Sequence, residues 1–297
     1  MKFYSTNNRN HSLGFGAAVE KGLAADNGLY FPETIPILSS DFINDLHTFS
    51  KDEIGVEVMR HFTSEDISIE ELKRIVRETL DFDFPLKEVS KDVFSLELFH
   101  GPTMAFKDVG ARFMSRSLQA IAKRDSVVLV ATSGDTGSAV ANGFYKIPGI
   151  KVVLLYPSGK ISQIQEMQLT TLGENITALE VDGVFDDCQA LVKKAFLDEE
   201  LNKKLALTSA NSINIARWLP QSIYYFLAVA EARRQGFEEV VFSVPSGNLG
   251  NITAGMVGAK MGLPVKKFIA ATNMNKIVPD YLTSGVYSPV ASVATIS

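Results

Sequence analysis

The sequence predicts an α/β protein of two lobes, with parallel or mixed sheets flanked by helices and a mainly helical segment at the N-terminus. Three observations carry that prediction. From residue 126 onward, apolar runs of strand length alternate with single helical stretches, a rhythm that builds sheets covered by helices on both faces. The chain has 297 residues, more than one typical domain holds. Residues 1–97 lack the alternation and show helical periodicity instead.

In that first segment Pro32, Pro36 and Pro85 punctuate helical stretches. The clearest begins at Ser68, where SIEELKRIV spaces Ser68 and Glu71 for a capping box. Leu72, Ile75, Val76 and Leu80 recur on one helical face. Residues 126–131 (SVVLVA) form a continuous apolar run, as in a strand buried on both faces. A Gly/Ser/Thr turn and an alanine-rich helix follow, then a strand over 151–156. After another helix comes a strand over 176–181. Next is a helix from Asp186, with Cys188, Leu191, Val192, Ala195 and Phe196 on one stripe. A helix over 220–235 leads into a strand at 239–244. The last unit is a helix through Met261 and a strand over 265–271. No internal repeat is visible.

Composition narrows the function classes. The chain is 46% hydrophobic and 21% charged, with net charge −5 and a pI near 5.5. It has no basic run, so neither nucleic acid nor an anionic membrane is expected as a partner. The opening MKFYSTNNRN has no apolar core and does not read as a secretory signal. No apolar stretch approaches the roughly 20 residues that span a bilayer. One cysteine, Cys188, excludes an internal disulfide, and with only four histidines no metal site is expected. The glycosylation patterns at Asn175 and Asn251 are read as chance matches. These features describe a cytosolic protein of enzyme size.

Three loops carry chemistry. In the first, FHGPTMAFKD over 99–108, Lys107 follows Met104, Ala105 and Phe106. Apolar surroundings disfavour the ammonium form, and a neutral amine can attack an aldehyde to form a Schiff base. A lysine whose stem packs while its head reaches water fits the same residues. The second loop, ATSGDTG over 131–137, joins a buried strand to a helix. Its small residues expose N–H groups at a helix N-terminus, a place for a carboxylate or phosphate. A plain βα turn capped by a hydroxyl fits equally. The third, PSGNLGN over 245–251, again lies between strand and helix. Gly247 and Gly250 allow close approach of a ligand, and the helix dipole favours a phosphate. The loop is neither a dinucleotide fingerprint nor a P-loop.

In this order and spacing the three loops resemble the second fold type of pyridoxal-phosphate (PLP) enzymes. Within that group the chain is similar to the threonine synthase family. GLAADNGLYFP at 22–32, LELFHGPTMAFKD at 96–108, ATSGDTG, LYPSGK at 155–160 and SANSIN at 209–214 with Arg217 carry the resemblance, which covers essentially the whole chain. It implies that Lys107 binds the cofactor aldehyde and carries protons. Gly247, Asn248, Leu249, Gly250 and Asn251 are then expected to hold its phosphate, largely through backbone N–H groups. Asp135 stands where shorter relatives place an asparagine near the ring hydroxyl, and an ionised Asp cannot donate there. Ser133, Gly134 and Thr136 are expected to take the substrate carboxylate. Asn211, Ser212 and Arg217, with Lys160 as a further cation, match residues around the substrate phosphate. Arg suits that task through its planar fork, although surface salt bridging is the alternative for Arg217 and Lys160. His100 is read as a support for the loop before Lys107.

The implied reaction takes O-phospho-L-homoserine and water to L-threonine and phosphate, the last step of threonine biosynthesis, in a monomer or homodimer. The resemblance also implies a division into residues 1–97, a large domain of 98–125 with 215–297, and a small α/β domain of 126–214. Family members continue past the point where this sequence stops, with the last of the large domain and a hydroxyl residue for the ring nitrogen. Two alternatives stand beside this reading. One is another PLP lyase of the same fold type, such as a threonine or serine dehydratase, which needs no phosphate-binding cations. The other is a non-catalytic binder of phosphorylated ligands, which needs no Schiff-base lysine.

Overall fold

The computed structural model describes residues 1–290 together with Val293 and Thr295. The end of the expected large domain, residues 291, 292, 294, 296 and 297, lies outside the described residues. The first segment combines three antiparallel strands, β1 (Lys2–Ser5), β2 (Asn8–Gly14) and β3 (Tyr30–Pro32), in the order β2-β1-β3. Its helices are α1 (Phe15–Lys21), α2 (Ser40–Asn44), α3 (Lys51–Thr63) and α4 (Ile69–Thr79), and a hairpin of β4 (Leu86–Ser90) and β5 (Val93–Leu96) closes it. The strands were not evident from periodicity because β1 and β3 are short and β2 (NRNHSLG) is polar.

Helix α4 buries Leu72, Ile75, Val76 and Leu80, each worth about 1.5–3 kcal/mol when fully removed from water. Ser68 caps it by accepting from the Glu71 N–H at 3.2 Å. The reciprocal half of the expected capping box does not form. Glu71 instead accepts from Arg74 Nη2 at 2.6 Å and Nε at 3.1 Å, and this charge-assisted pair outcompetes a neutral N–H. A complete capping box occurs at Ser50 and Glu53, which begin α3.

Helix α5 (Lys107–Ile121) then crosses to the parallel sheet of β6 (Ser126–Ala131), β7 (Ile150–Pro157), β8 (Ile176–Val181) and β9 (Ala206–Thr208), ordered β8-β7-β6-β9. Between these strands run α6 (Asp135–Gly143), α7 (Gln163–Thr170), α8 (Phe185–Leu197) and α9 (Glu199–Lys204). Val128 and Val130 of β6 and Val152 and Leu154 of β7 enter the main core, which also takes in Val109, Phe113, Met114 and Leu118 of α5. On the opposite sheet face Leu129, Ala131 and Leu155 pack against Cys188 and Val192 of α8. Strands with apolar residues on both faces therefore read as continuous apolar runs. The stripe on α8 is narrower than its sequence implies, since Leu191 is 46% exposed at its margin.

The chain returns through α10 (Ile215–Trp218), a 3-10 turn at Leu219–Gln221 and α11 (Ser222–Arg234). It then forms a parallel pair, β10 (Val241–Pro245) and β11 (Lys267–Ala271), joined by α12 (Gly250–Lys260) and followed by α13 (Ile277–Ser284). The predicted 220–235 helix starts as the tighter turn because Pro220 withholds an N–H there. Among the described residues no helix is long and apolar enough to cross a membrane.

Candidate active site

Lys107 opens α5, and its neighbours are pinned on both sides. Tyr224 of α11 donates its hydroxyl to the carbonyl of Phe106. Asp108, buried, accepts from the Thr103 N–H at 3.0 Å and from the Thr103 hydroxyl. The Lys107 side chain is 28% exposed, with Nζ 3.9 Å from Asp135 Oδ2. Burial holds its pKa below the ordinary lysine value, Asp135 pulls it back up, and Arg217 adds to the lowering. His100 Nε2 donates to Glu97 Oε2 at 2.7 Å and the ring stacks on Phe99, a support for the approach to the loop rather than a wall of the cavity.

The second loop is folded around one hydroxyl. Thr132 Oγ1 accepts from the N–H groups of Gly134 at 3.1 Å and Gly137 at 2.8 Å. Gly134 sits at φ 142°, ψ −111°, which L side chains rarely adopt, and a Cβ there would lie 2.5 Å from Gln165 Nε2. Thr132 thereby takes the Gly137 N–H of the first turn of α6 and leaves the N–H groups of Asp135 and Thr136 for an anion. Ser133 and Thr136 line the adjoining cavity, and the Asp135 carboxylate accepts from Gln165 Nε2 at 2.7 Å.

The third loop ends on Leu249, a left-handed residue at φ 58° that starts α12, again without a side-chain cap. At Gly247 an added Cβ would meet nothing within 4 Å, so the missing side chain leaves open space rather than relieving a clash. Asn251 points inward. It accepts the Tyr225 hydroxyl at 2.6 Å and donates to Gln221 Oε1 at 3.0 Å, while Gln221 Nε2 donates to the Arg217 carbonyl at 3.1 Å. Its side chain is thereby occupied, which leaves only its backbone N–H for a ligand.

Asn214 fixes the 209–217 segment: it caps α10 through the Ala216 N–H at 3.0 Å and donates to the Val19 carbonyl at 2.9 Å. Arg217 is 1% exposed. Its Nη1 donates to the Ala210 carbonyl, and its Nε has no partner. Burial pushes its pKa down to about 10. Lys160 lies exposed after β7 and, like Arg217, is not part of the cavity wall.

A cavity of about 690 Å³ joins these parts at the C-terminal ends of the parallel strands. It gathers Lys107, Ser133, Thr136, Asn211, Ser212, Asn248 and Gly250 from the predicted set. Gly134, Asp135, Gly247, Leu249 and Asn251 stand directly behind or beside that wall in the same loops. Tyr224 and Gln165 carry no sequence signal, because each meets its loop from a distant element, whereas Trp218 and Thr253 adjoin Arg217 and the 245–251 loop and line the cavity beside them. Tyr30 and Phe31 lie inside the 22–32 motif, whose recurrence was the available signal for a wall from the N-terminal segment. The room suits a small organic ligand. A partly buried amine at Lys107 and a helix start without a side-chain cap at the glycine-rich turn fit a group that carries both an aldehyde and a phosphate, as PLP does.

Fold and site together define a pyridoxal-phosphate-dependent enzyme of the second fold type. Residues 82–297 match the family described as "Pyridoxal-phosphate dependent enzyme", and residues 2–80 the family "Threonine synthase N terminus". The chain belongs to the threonine synthase family. It is 49% identical over 298 residues to a threonine synthase of Escherichia coli K12, and 47% identical over 300 residues to that of Serratia marcescens. Each alignment covers 100% of this chain and 70% of the relative. The crystal structure of the Escherichia coli threonine synthase superposes with a TM-score of 0.92 at 48% identity, over 100% of this chain and 70% of that one. A PLP-bound threonine synthase from Brucella melitensis gives 0.93 at 39% identity, over 99% of this chain and 65% of that one. Maize serine racemase, at 16% identity and TM-score 0.56, shares the fold alone. The protein is a PLP-dependent lyase.

Proposed function

We propose that the site binds PLP on Lys107 and converts O-phospho-L-homoserine and water to L-threonine and phosphate, in a cytoplasmic monomer or homodimer. The observation that carries this is the convergence of Lys107, the 133–136 helix end, the 247–250 turn and the 211–212 segment on one cavity. When bound, PLP supplies an electron sink for charge developing at the substrate α and β carbons. The chain's part is positional and protonic. The uncapped N-terminus of α12 takes the cofactor phosphate, and the Asp135 and Thr136 N–H groups at the start of α6 take the substrate carboxylate. Lys107, held at its base by Tyr224 and Asp108, carries the proton at Nζ between substrate carbons. Asn211 and Ser212 hold the substrate phosphate from the cavity wall, with Arg217 behind them offering its unpartnered Nε. Lys160 adds positive potential from the exposed turn after β7. The small domain of 126–214 thus presents the substrate to a cofactor seated on residues 98–125 and 215–297.

Borohydride reduction of the holoprotein followed by peptide mapping tests the attachment, and label on any lysine other than Lys107 refutes it. Turnover of phosphohomoserine against threonine and O-acetylserine tests the reaction. Equal or greater turnover of threonine would move the assignment to a dehydratase.

A further inference from the structure

We infer that Gln165, on α7, is a positioning residue that aims the Asp135 carboxylate at Lys107 and ties that aim to the cap of its own helix. The two halves of the Gln165 amide are both committed. Its Oε1 accepts from the Ser162 N–H at 3.1 Å, completing the capping box of α7, while Ser162 Oγ accepts from the Gln165 N–H at 3.3 Å. Its Nε2 donates to Asp135 Oδ1 at 2.7 Å. A carboxylate with one oxygen held turns the other in a defined direction, and Asp135 Oδ2 lies 3.9 Å from Lys107 Nζ.

Two further facts make the arrangement specific. Gly134, the residue before Asp135, has no Cβ, and one built there would reach within 2.5 Å of the Gln165 amide. The loop thus approaches this one side chain closely, at a backbone φ of 142° that glycine adopts and L side chains rarely do. The charged groups acting on Lys107 are Asp135 and Arg217, with opposite signs. Control of where Asp135 points therefore shifts the balance between the ammonium and the free amine. An acidic residue in this place needs a donor, because by itself it accepts only. Gln165 supplies that donor without adding charge.

The inference rests on Lys107 as the PLP-binding residue, and the test separates the two. The pH dependence of covalent PLP attachment to the apoprotein is followed by absorbance for wild type, Gln165→Met, Asp135→Asn, the double variant and Ser162→Ala. Attachment needs the free amine, so its midpoint reads the Lys107 balance. Removing the Asp135 charge lowers the midpoint and speeds attachment several-fold at neutral pH. Gln165→Met shifts the midpoint in the same direction by less, and adds nothing in the Asp135→Asn background. Ser162→Ala weakens the cap of α7 and lowers the melting temperature without moving the midpoint. Should Gln165→Met prove unstable, Gln165→Ala, compatible with a helix position, takes its place. An unmoved midpoint in the Gln165 variants overturns the inference, as does a shift of equal size with or without Asp135, or an equal shift in Ser162→Ala. Peptide mapping of the reduced adduct in each variant keeps the premise in view. Label on Lys107 with an unmoved midpoint removes Gln165 from the role, whereas label elsewhere removes the Lys107 reading itself.

Discussion

Phe31 and Trp218 stack with ring centroids 5.5 Å apart and planes 12° from parallel. One comes from the N-terminal segment and the other ends α10, beside Arg217, and both line the cavity. The stack thus makes the first segment a wall of the site. Trp218 is 5% exposed, so Trp218→Ala is expected to cost about 3–5 kcal/mol in urea unfolding. A double-mutant cycle with Phe31→Ala should return a coupling of about 0.5–1.5 kcal/mol. Additive losses would mean that the rings pack independently.

Lys107 makes a pH-dependent prediction for stability. Its folded pKa lies below the usual 10.5, chiefly through burial. The unfolded chain therefore binds more protons between the two values, and stability rises with pH across that window. Below the folded pKa the penalty of burying the ammonium is fully present, and above 10.5 it is gone. Lys107→Met should accordingly stabilise the apoprotein at neutral pH, with the gain fading as pH rises toward 10.5. The same variant forms no covalent PLP adduct. Thermal unfolding at a series of pH values checks the sign, and a gain that grows with pH would contradict it.

Gly247→Val tests the third loop. Nothing lies within 4 Å of a Cβ there, so stability should change by less than about 0.5 kcal/mol, as at ordinary surface positions. PLP affinity should fall at least tenfold, because the new side chain stands where the phosphate approaches. Fluorescence titration with PLP reads the effect. Unchanged affinity would reduce the loop to a turn.

Arg217→Ala addresses the substrate. Truncating one partner of a desolvated charge pair costs on the order of 2–5 kcal/mol. kcat/KM for phosphohomoserine should therefore drop by roughly two decades or more, while PLP occupancy stays near wild type. Arg217→Lys should recover only part of the loss, since a point charge lacks the planar fork. Parallel loss of PLP and turnover would assign Arg217 to the fold, where its bond to the Ala210 carbonyl already places one N–H.

Much of the architecture was legible because its physics is local. The strand at 126–131 matches β6 to the residue, since burial on both faces writes an unbroken apolar run. The strand at 176–181 matches β8 in its bounds, although only Ile176 of it is buried and Leu179 is exposed. Local physics also marks the Gly-rich loops, whose backbone demands restrict residue choice on the spot. β1, β2 and β3 escaped notice because β2 is polar and β1 and β3 are short, so that pairing between strands, as of Phe3 with Leu13 and with the distant Pro32, specifies the sheet rather than any one strand's pattern. Tyr224 and Gln165 escaped for the same reason: their meaning lies in contacts to Phe106 and Asp135, 118 and 30 residues away. Arg217 was legible as a residue but not in its setting, since no local pattern distinguishes a buried arginine with an idle Nε from a solvated one.

The row of bonds from Tyr225 through Asn251 and Gln221 to the Arg217 carbonyl has a direction. Tyr225 donates to Asn251, Asn251 to Gln221, and Gln221 to the backbone of Arg217. Gln221 turned end over end would set its oxygen against the Arg217 carbonyl, so that one fixed acceptor orients Gln221 and, through it, Asn251. The result is a fixed link between the helix that begins at the glycine-rich turn and the backbone of Arg217. The turn at 247–250 and the segment around Arg217 therefore move together or not at all, so a change at one end of the row is felt at the other.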